Sequence, residues 1–134
     1  MAFFGFTQQP NANYLNKDKT MSLPIRSVTP SFAVVGQLVP ADLASVAAMG
    51  FKTVINNRPD LEGGPEQAAS TALQTAAEAA GLAYVFLPVI TGAYTPAQIQ
   101  AMRDTLDHSA QPVLAFCRSG VRSTQLFMLA QQLE

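Results

Sequence analysis

The sequence lacks most of the features that place a chain quickly. One cysteine, Cys117, stands among 134 residues, which excludes an intrachain disulfide and any multi-cysteine zinc site. No apolar run approaches the roughly eighteen residues that span a bilayer. The longest, Leu82 to Ile90, is strand-sized and broken by Pro88. Neither charge is in excess: eight Lys and Arg face nine Asp and Glu, a formal net charge of −1. That balance offers no footprint for nucleic acid and no cationic anchor for a membrane surface. The one histidine, His108, has no metal or triad partners around it, so neither metal nor cofactor is expected. Without a secretory signal at the start, the cytoplasm is the expected compartment. What the chain does have is grease: 49% apolar against 13% charged residues. Disordered chains show the opposite balance, and this length suits one domain with one continuous core. The lone thiol is the residue to explain.

Residues 1–20 read differently from the rest, with Asn11, Asn13, Asn16 and the charged Lys17-Asp18-Lys19, and no helical or strand period. They are expected to form a poorly ordered extension, although Phe3, Phe4 and Phe6 could dock on the domain or on a neighbour. The domain is then 21–134. From Phe32 the pattern alternates. Phe32–Val35 reads as a strand ended by Gly36, and Pro40 opens a helix to Met49 with Gly50 past its end. Phe51–Asn56 is a second strand and 57–65 a polar turn. The alanine-rich stretch from Glu66 to Ala80 is helical and closed by Gly81. Ala83–Leu87 is a third strand, stopped by Pro88. Thr95-Pro96-Ala97-Gln98 forms a capping box for a helix that runs towards His108. Pro112–Phe116 is an apolar strand, and 121–133 a final amphipathic helix. Strands alternating with helices predict one α/β domain with a mostly parallel sheet of about four to five strands flanked by helices.

Ligands of such sheets bind beyond the carboxyl ends of the strands, and Cys117 lies at that edge. The connection to the last helix reads Cys117-Arg118-Ser119-Gly120-Val121-Arg122-Ser123. A strand, a glycine turn and a helix start aim several backbone N–H groups at one point, and two arginines favour negative charge there. A thiol so placed should ionise below its model value near 8.5. A buried inert cysteine is the bland alternative, but it leaves two arginines, two serines and a glycine in the next six positions unexplained.

Cys117–Arg122 resembles the active-site loop of cysteine-based sulfurtransferases and phosphatases. Together with Val35-Gly36-Gln37-Leu38, Thr53–Asp60 and Pro112–Gly120, it resembles the beta-lactamase hydrolase-like, phosphatase-like family over about residues 24–133. The resemblance implies a fold like that of dual-specificity phosphatases, and some members are fused to persulfide dioxygenases. It therefore implies an enzyme with Cys117 as nucleophile and Arg122 at the loop's end, pinning the loop or pairing with an anion.

Two features separate sulfur from phosphorus. Phosphatase loops usually place five residues between cysteine and arginine, often with histidine before the cysteine. Here there are four, Arg118 to Val121, and Phe116 precedes Cys117, which is similar to the smaller rhodanese loop. Phosphoester cleavage also needs an acid for the leaving oxygen, and the matching stretch, Pro88 to Thr95, has none. Asp60 could substitute. The leading expectation is thus a sulfurtransferase forming a persulfide on Cys117. Phosphoester hydrolysis through a cysteinyl-phosphate and a non-catalytic anion- or partner-binding module stay open. Arg118, Ser119, Gly120, Val121 and Ser123 are expected to surround the bound anion: thiosulfate, a persulfide or a phosphoester. Arg58 and Asp60 join them from the polar turn, unless they pair with each other and merely stiffen it. Tyr94 could cover the pocket. A persulfide dioxygenase or another sulfur-metabolism protein is the implied partner. Leu126, Phe127, Met128 and Leu129 leave room for a homodimer or a domain partner.

Overall fold

The computed structural model describes residues 23–134. The expectations for residues 1–20, including the docking of Phe3, Phe4 and Phe6, lie outside the described residues. Five strands form one sheet: β1 (Arg26–Thr29), β2 (Phe32–Val35), β3 (Thr53–Asn56), β4 (Ala83–Phe86) and β5 (Val113–Phe116). Their order is β1-β2-β5-β3-β4, all parallel except the β1–β2 hairpin. Four helices cover it: α1 (Leu43–Ala48), preceded by a 3-10 turn at Pro40–Asp42, α2 (Ser70–Ala79), α3 (Pro96–His108) and α4 (Val121–Gln131). This is the predicted α/β architecture, with helices on both faces.

The apolar strands are continuous because both faces are buried. Along each one, alternate residues go to opposite layers. Phe32, Val34, Val113 and Ala115 pack with Met102 of α3 and with Leu126 and Phe127 of α4. Ala33, Val35, Leu114 and Phe116 pack with Leu43, Leu73 and Ala77 on the other side. Phe32 and Phe127 stack at 4.1 Å between ring centroids. Leu126 and Phe127 are therefore spent on the chain's own core, which corrects the expectation that they leave room for a dimer. Of the four residues invoked, Met128 is the exposed one.

Two elements differ from the sequence reading. β1 is an added edge strand whose polar Arg26-Ser27-Val28-Thr29 carries no apolar run. The second helix starts at Ser70 rather than Glu66. Gln67 folds back instead, accepting from the Gly63 N–H at 2.7 Å and donating to the Pro59 carbonyl at 2.9 Å. Those bonds keep residues 66–69 with the polar turn. The start of α3 is as expected: Thr95 Oγ1 accepts from the Gln98 N–H, and Gln98 Oε1 from the Thr95 N–H.

Register decides what this scaffold presents. Val35, Phe116, Asn56 and Phe86 lie level across four parallel strands. The segments that follow them leave the sheet at one edge. Backbone bonds continue past the strands there, with Asn57 N–H to the Phe116 carbonyl at 2.8 Å and Gln37 N–H to the Arg118 carbonyl at 3.3 Å.

Candidate active site

Cys117 is the first residue after β5 and is 1% exposed. The chain turns at Gly120, whose φ of 95° lies in the left-handed region that favours glycine. That turn brings the Gly120 N–H to 3.0 Å from Cys117 Sγ. Gly36 makes room on the outer side, since a Cβ there would stand 3.0 Å from the Arg118 carbonyl oxygen. No side chain caps α4 at Gly120, so the sulfur takes the place of a cap. Burial pushes the Cys117 thiol up, but N–H groups of Ser123, Ser119 and Gly120 and the Ser123 hydroxyl outweigh it, and the thiol sits below its ordinary value.

Ser123 and Asn57 are completely buried beneath the loop. Ser123 Oγ donates to Asn57 Oδ1 at 2.8 Å, and Asn57 Nδ2 to the Leu87 carbonyl at 2.9 Å. A hydroxyl has one proton, so Ser123 serves either Asn57 or the sulfur at a given moment. Asn57 thereby ties β3, the residue before the nucleophile and the segment after β4 to the start of α4.

Arg122 is buried and faces inward. It grips Glu62 bidentately, Nη1 to Oε2 and Nη2 to Oε1, each at 3.0 Å, and Nη1 also donates to the Val89 carbonyl at 3.0 Å. Its Nε is buried without a partner. Such a donor is costly to leave unpaired. Glu62 also accepts from Arg58 Nε at 2.9 Å. The Arg122 bond chiefly, and Arg58 after it, hold the Glu62 carboxyl below its usual range against the opposing effect of burial.

Cys117, Arg118, Ser119, Val121 and Arg122 line one pocket of about 350 Å³ with Thr91. Gly120 and Ser123 support the sulfur from the loop and from α4. Arg58 stands one layer out, bonded to Glu62 and, through Nη1, to Gln37 Oε1 at 3.0 Å. Asp60 is not beside it, contrary to the alternative of an Arg58–Asp60 pair. Its Oδ1 accepts the Ser70 N–H at 2.8 Å and fixes the start of α2. Arg118 is exposed and, among the described residues, makes no ion pair. Tyr94 donates to Gln125 Oε1 on α4 and is near enough to Cys117 and Arg122 to feel their charges. His108 ends α3, its Nδ1 at 2.8 Å from the Asp104 carbonyl. Glu62 and Thr91 were not singled out from the sequence. The signal for Glu62 was its i+4 spacing from Arg58 in a turn at the carboxyl edge.

Among the described residues no group of three or more His, Cys, Asp or Glu could hold a metal ion. No helix of the described residues is long and apolar enough to cross a membrane.

The sequence profile of the phosphatase-like domain of the beta-lactamase hydrolase-like protein matches residues 24–134. The chain belongs to that family. The beta-lactamase hydrolase-like protein of Agrobacterium fabrum is 40% identical over 101 residues, which are 75% of this chain and 23% of that protein. The chain thus spans about a quarter of the curated relatives it matches. Among solved structures, a Neisseria meningitidis protein provisionally named a phosphatase superposes with a TM-score of 0.70 at 29% identity, covering 75% of this chain and 71% of that one. P. aeruginosa TpbA, solved as a cysteine-to-serine variant with phosphotyrosine, gives 0.58 at 18% identity over 79% and 60% of the two chains. The fold is that of dual-specificity-phosphatase-like proteins, and the site is of the cysteine-based, phosphatase-like enzyme type.

Proposed function

We propose that the domain is a cysteine-dependent sulfurtransferase of the rhodanese type, with Cys117 carrying one sulfur atom as a persulfide. One observation carries this reading: among the described residues, no carboxyl group lines the pocket around a sulfur already held by backbone N–H. The near acid, Glu62, is engaged with Arg122 and Arg58, and Asp60 with α2. Such a pocket can bind an anion and ionise a thiol, but it has no acid to protonate a leaving alkoxide. Sulfur transfer needs none. The Cys117 thiolate attacks the outer sulfur of thiosulfate, an S–S bond forms as the donor's S–S bond breaks, and sulfite leaves with the electron pair. An acceptor thiolate then takes the outer sulfur and returns Cys117 as thiolate. Loop N–H groups, with the Arg122 guanidinium lining the same pocket, favour the negative charge in both halves. The four-residue spacing suits a single terminal sulfur. A persulfide dioxygenase fits as the partner that consumes the product.

The comparisons support the phosphoester reading more directly than the sulfur one. The family is named for a phosphatase-like domain, the Neisseria relative bears a phosphatase name, and TpbA binds phosphotyrosine. In that reading Cys117 takes the phosphoryl group, and substrates with good leaving groups, such as aryl phosphates, react without an acid. Intact mass after incubation with thiosulfate separates the two. Addition of one sulfur, absent in Cys117→Ser, establishes the persulfide; no adduct together with Cys117-dependent turnover of aryl phosphate establishes the phosphatase.

A further inference from the structure

A second hollow adjoins the reactive pocket. It lies between β1 and the first turns of α4, encloses about 410 Å³, and shares Val121 with the pocket around Cys117. Val121 is half exposed, a low ridge between the two. Val28, Val34 and Val121 give the hollow aliphatic walls, and Arg26 lines it beside them. Arg26 reaches the loop itself: a Cβ built on Gly120 would stand 2.9 Å from its Nη2. The cation therefore lies against the backbone that grips the nucleophile.

Charge accounting at this edge leaves Arg26 conspicuous. Glu62 pairs with both Arg58 and Arg122, whereas Arg26, like Arg118 in the neighbouring pocket, makes no ion pair among the described residues. The other polar groups of the hollow are largely engaged. Thr124 Oγ1 donates to the Gly120 carbonyl at 2.9 Å, Ser27 Oγ to the Thr29 carbonyl at 3.1 Å, and Gln125 Oε1 accepts from Tyr94. What remains is an aliphatic trough lined by one guanidinium without an ion-pair partner, a donor fork suited to a carboxylate.

We infer that this trough is a second subsite, which takes the tail of the substrate or acceptor: a short aliphatic body bearing a carboxylate that meets Arg26. The inference rests on Cys117 as the nucleophile proposed above, but on neither choice of transferred group. It divides the work at the edge. The loop and Arg122 hold the reacting anion, and Arg26 selects among molecules by the charge they carry several atoms away.

Alkylation of Cys117 by two matched reagents tests it: the iodoacetamides of aminocaproate and of hexylamine. They share the reacting carbon and nearly the same length, and differ in the terminal carboxylate. Saturation kinetics should give the acidic reagent an apparent binding constant about threefold tighter, the size of an exposed ion pair. Arg26→Ala should abolish that preference, read as the ratio of the two reagents' constants within the same variant. Arg26→Lys should keep part of it, and Arg118→Ala should leave it in place. Equal binding of the two reagents by the parent protein, or a preference that survives Arg26→Ala, overturns the subsite. Failure of thiosulfate to leave a persulfide bears only on the transferred group, because alkylation needs only a nucleophilic thiol. If neither reagent labels Cys117, the nucleophile and the subsite fall together.

Discussion

Two loops leave the same edge of the sheet and are built for different tasks. The loop after β5 turns on Gly120 and directs N–H groups and a hydroxyl towards one sulfur, with Arg122 lining the same pocket. The segment after β4, residues 87–95, meets that machinery with a carbonyl at Val89, with Thr91 and with a phenol at Tyr94 that is bonded to Gln125. One side stabilises negative charge with preorganised dipoles, and the other brings no carboxyl group. The contrast teaches that this fold separates holding an anion from delivering a proton, and that the first can be complete without the second.

The comparison breaks most completely at the nucleophile. Cys117→Ser should retain the anion pocket and lose turnover by about a thousandfold or more, read as loss of the covalent adduct by intact mass. The next largest effect belongs to Glu62. Glu62→Ala should release Arg122 and lower kcat/KM by about a hundredfold, because small displacements of a positioning group are costly. Steady-state kinetics on whichever substrate turns over would show it, while alkylation of Cys117 persists. The opposite loop can be given what it lacks. Thr91→Asp should raise hydrolysis of an alkyl phosphate, a poor leaving group, by about tenfold or more over the parent, and leave thiosulfate loading unimproved. An unchanged rate would mean that the missing acid is not what distinguishes the two loops.

Smaller effects follow the sulfur's ionisation. Ser123→Ala removes a hydroxyl donor, so the pH profile of Cys117 alkylation should move upward, with Ser123→Thr restoring it. The linkage to folding has a definite sign. The folded thiol lies below its unfolded value, so it contributes stability that is present above the unfolded value. That contribution is lost as pH falls through the folded one. The stability difference between parent and Cys117→Ser should therefore widen in mildly alkaline buffer, measured by urea titration at two pH values.

The sequence made the loop after β5 legible because its chemistry is local. Cysteine, glycine and arginine within six residues sit between a strand and a helix, and the capping box at Thr95 is local in the same way. Glu62 was illegible because its role is completed by Arg122, sixty positions away, and only the register of β3 and β5 brings the two together. Asp60 drew attention as an acid at the right edge, but the start of α2 took it. β1 escaped for another reason: an edge strand needs only a partner ladder on one side and carries no apolar run to betray it. The choice between sulfur and phosphorus lies in what one loop omits, and residue patterns report omissions poorly.

The depth of Cys117 also governs how the protein ages. A thiol only 1% exposed cannot easily meet the thiol of another copy, so air oxidation should not cross-link chains. Small oxidants can still reach it, and these 134 residues hold no second cysteine to rescue a sulfenic acid as a disulfide. Repair must come from a free thiol small enough to enter the pocket, which ties the working lifetime of this domain to the low-molecular-weight reductants around it.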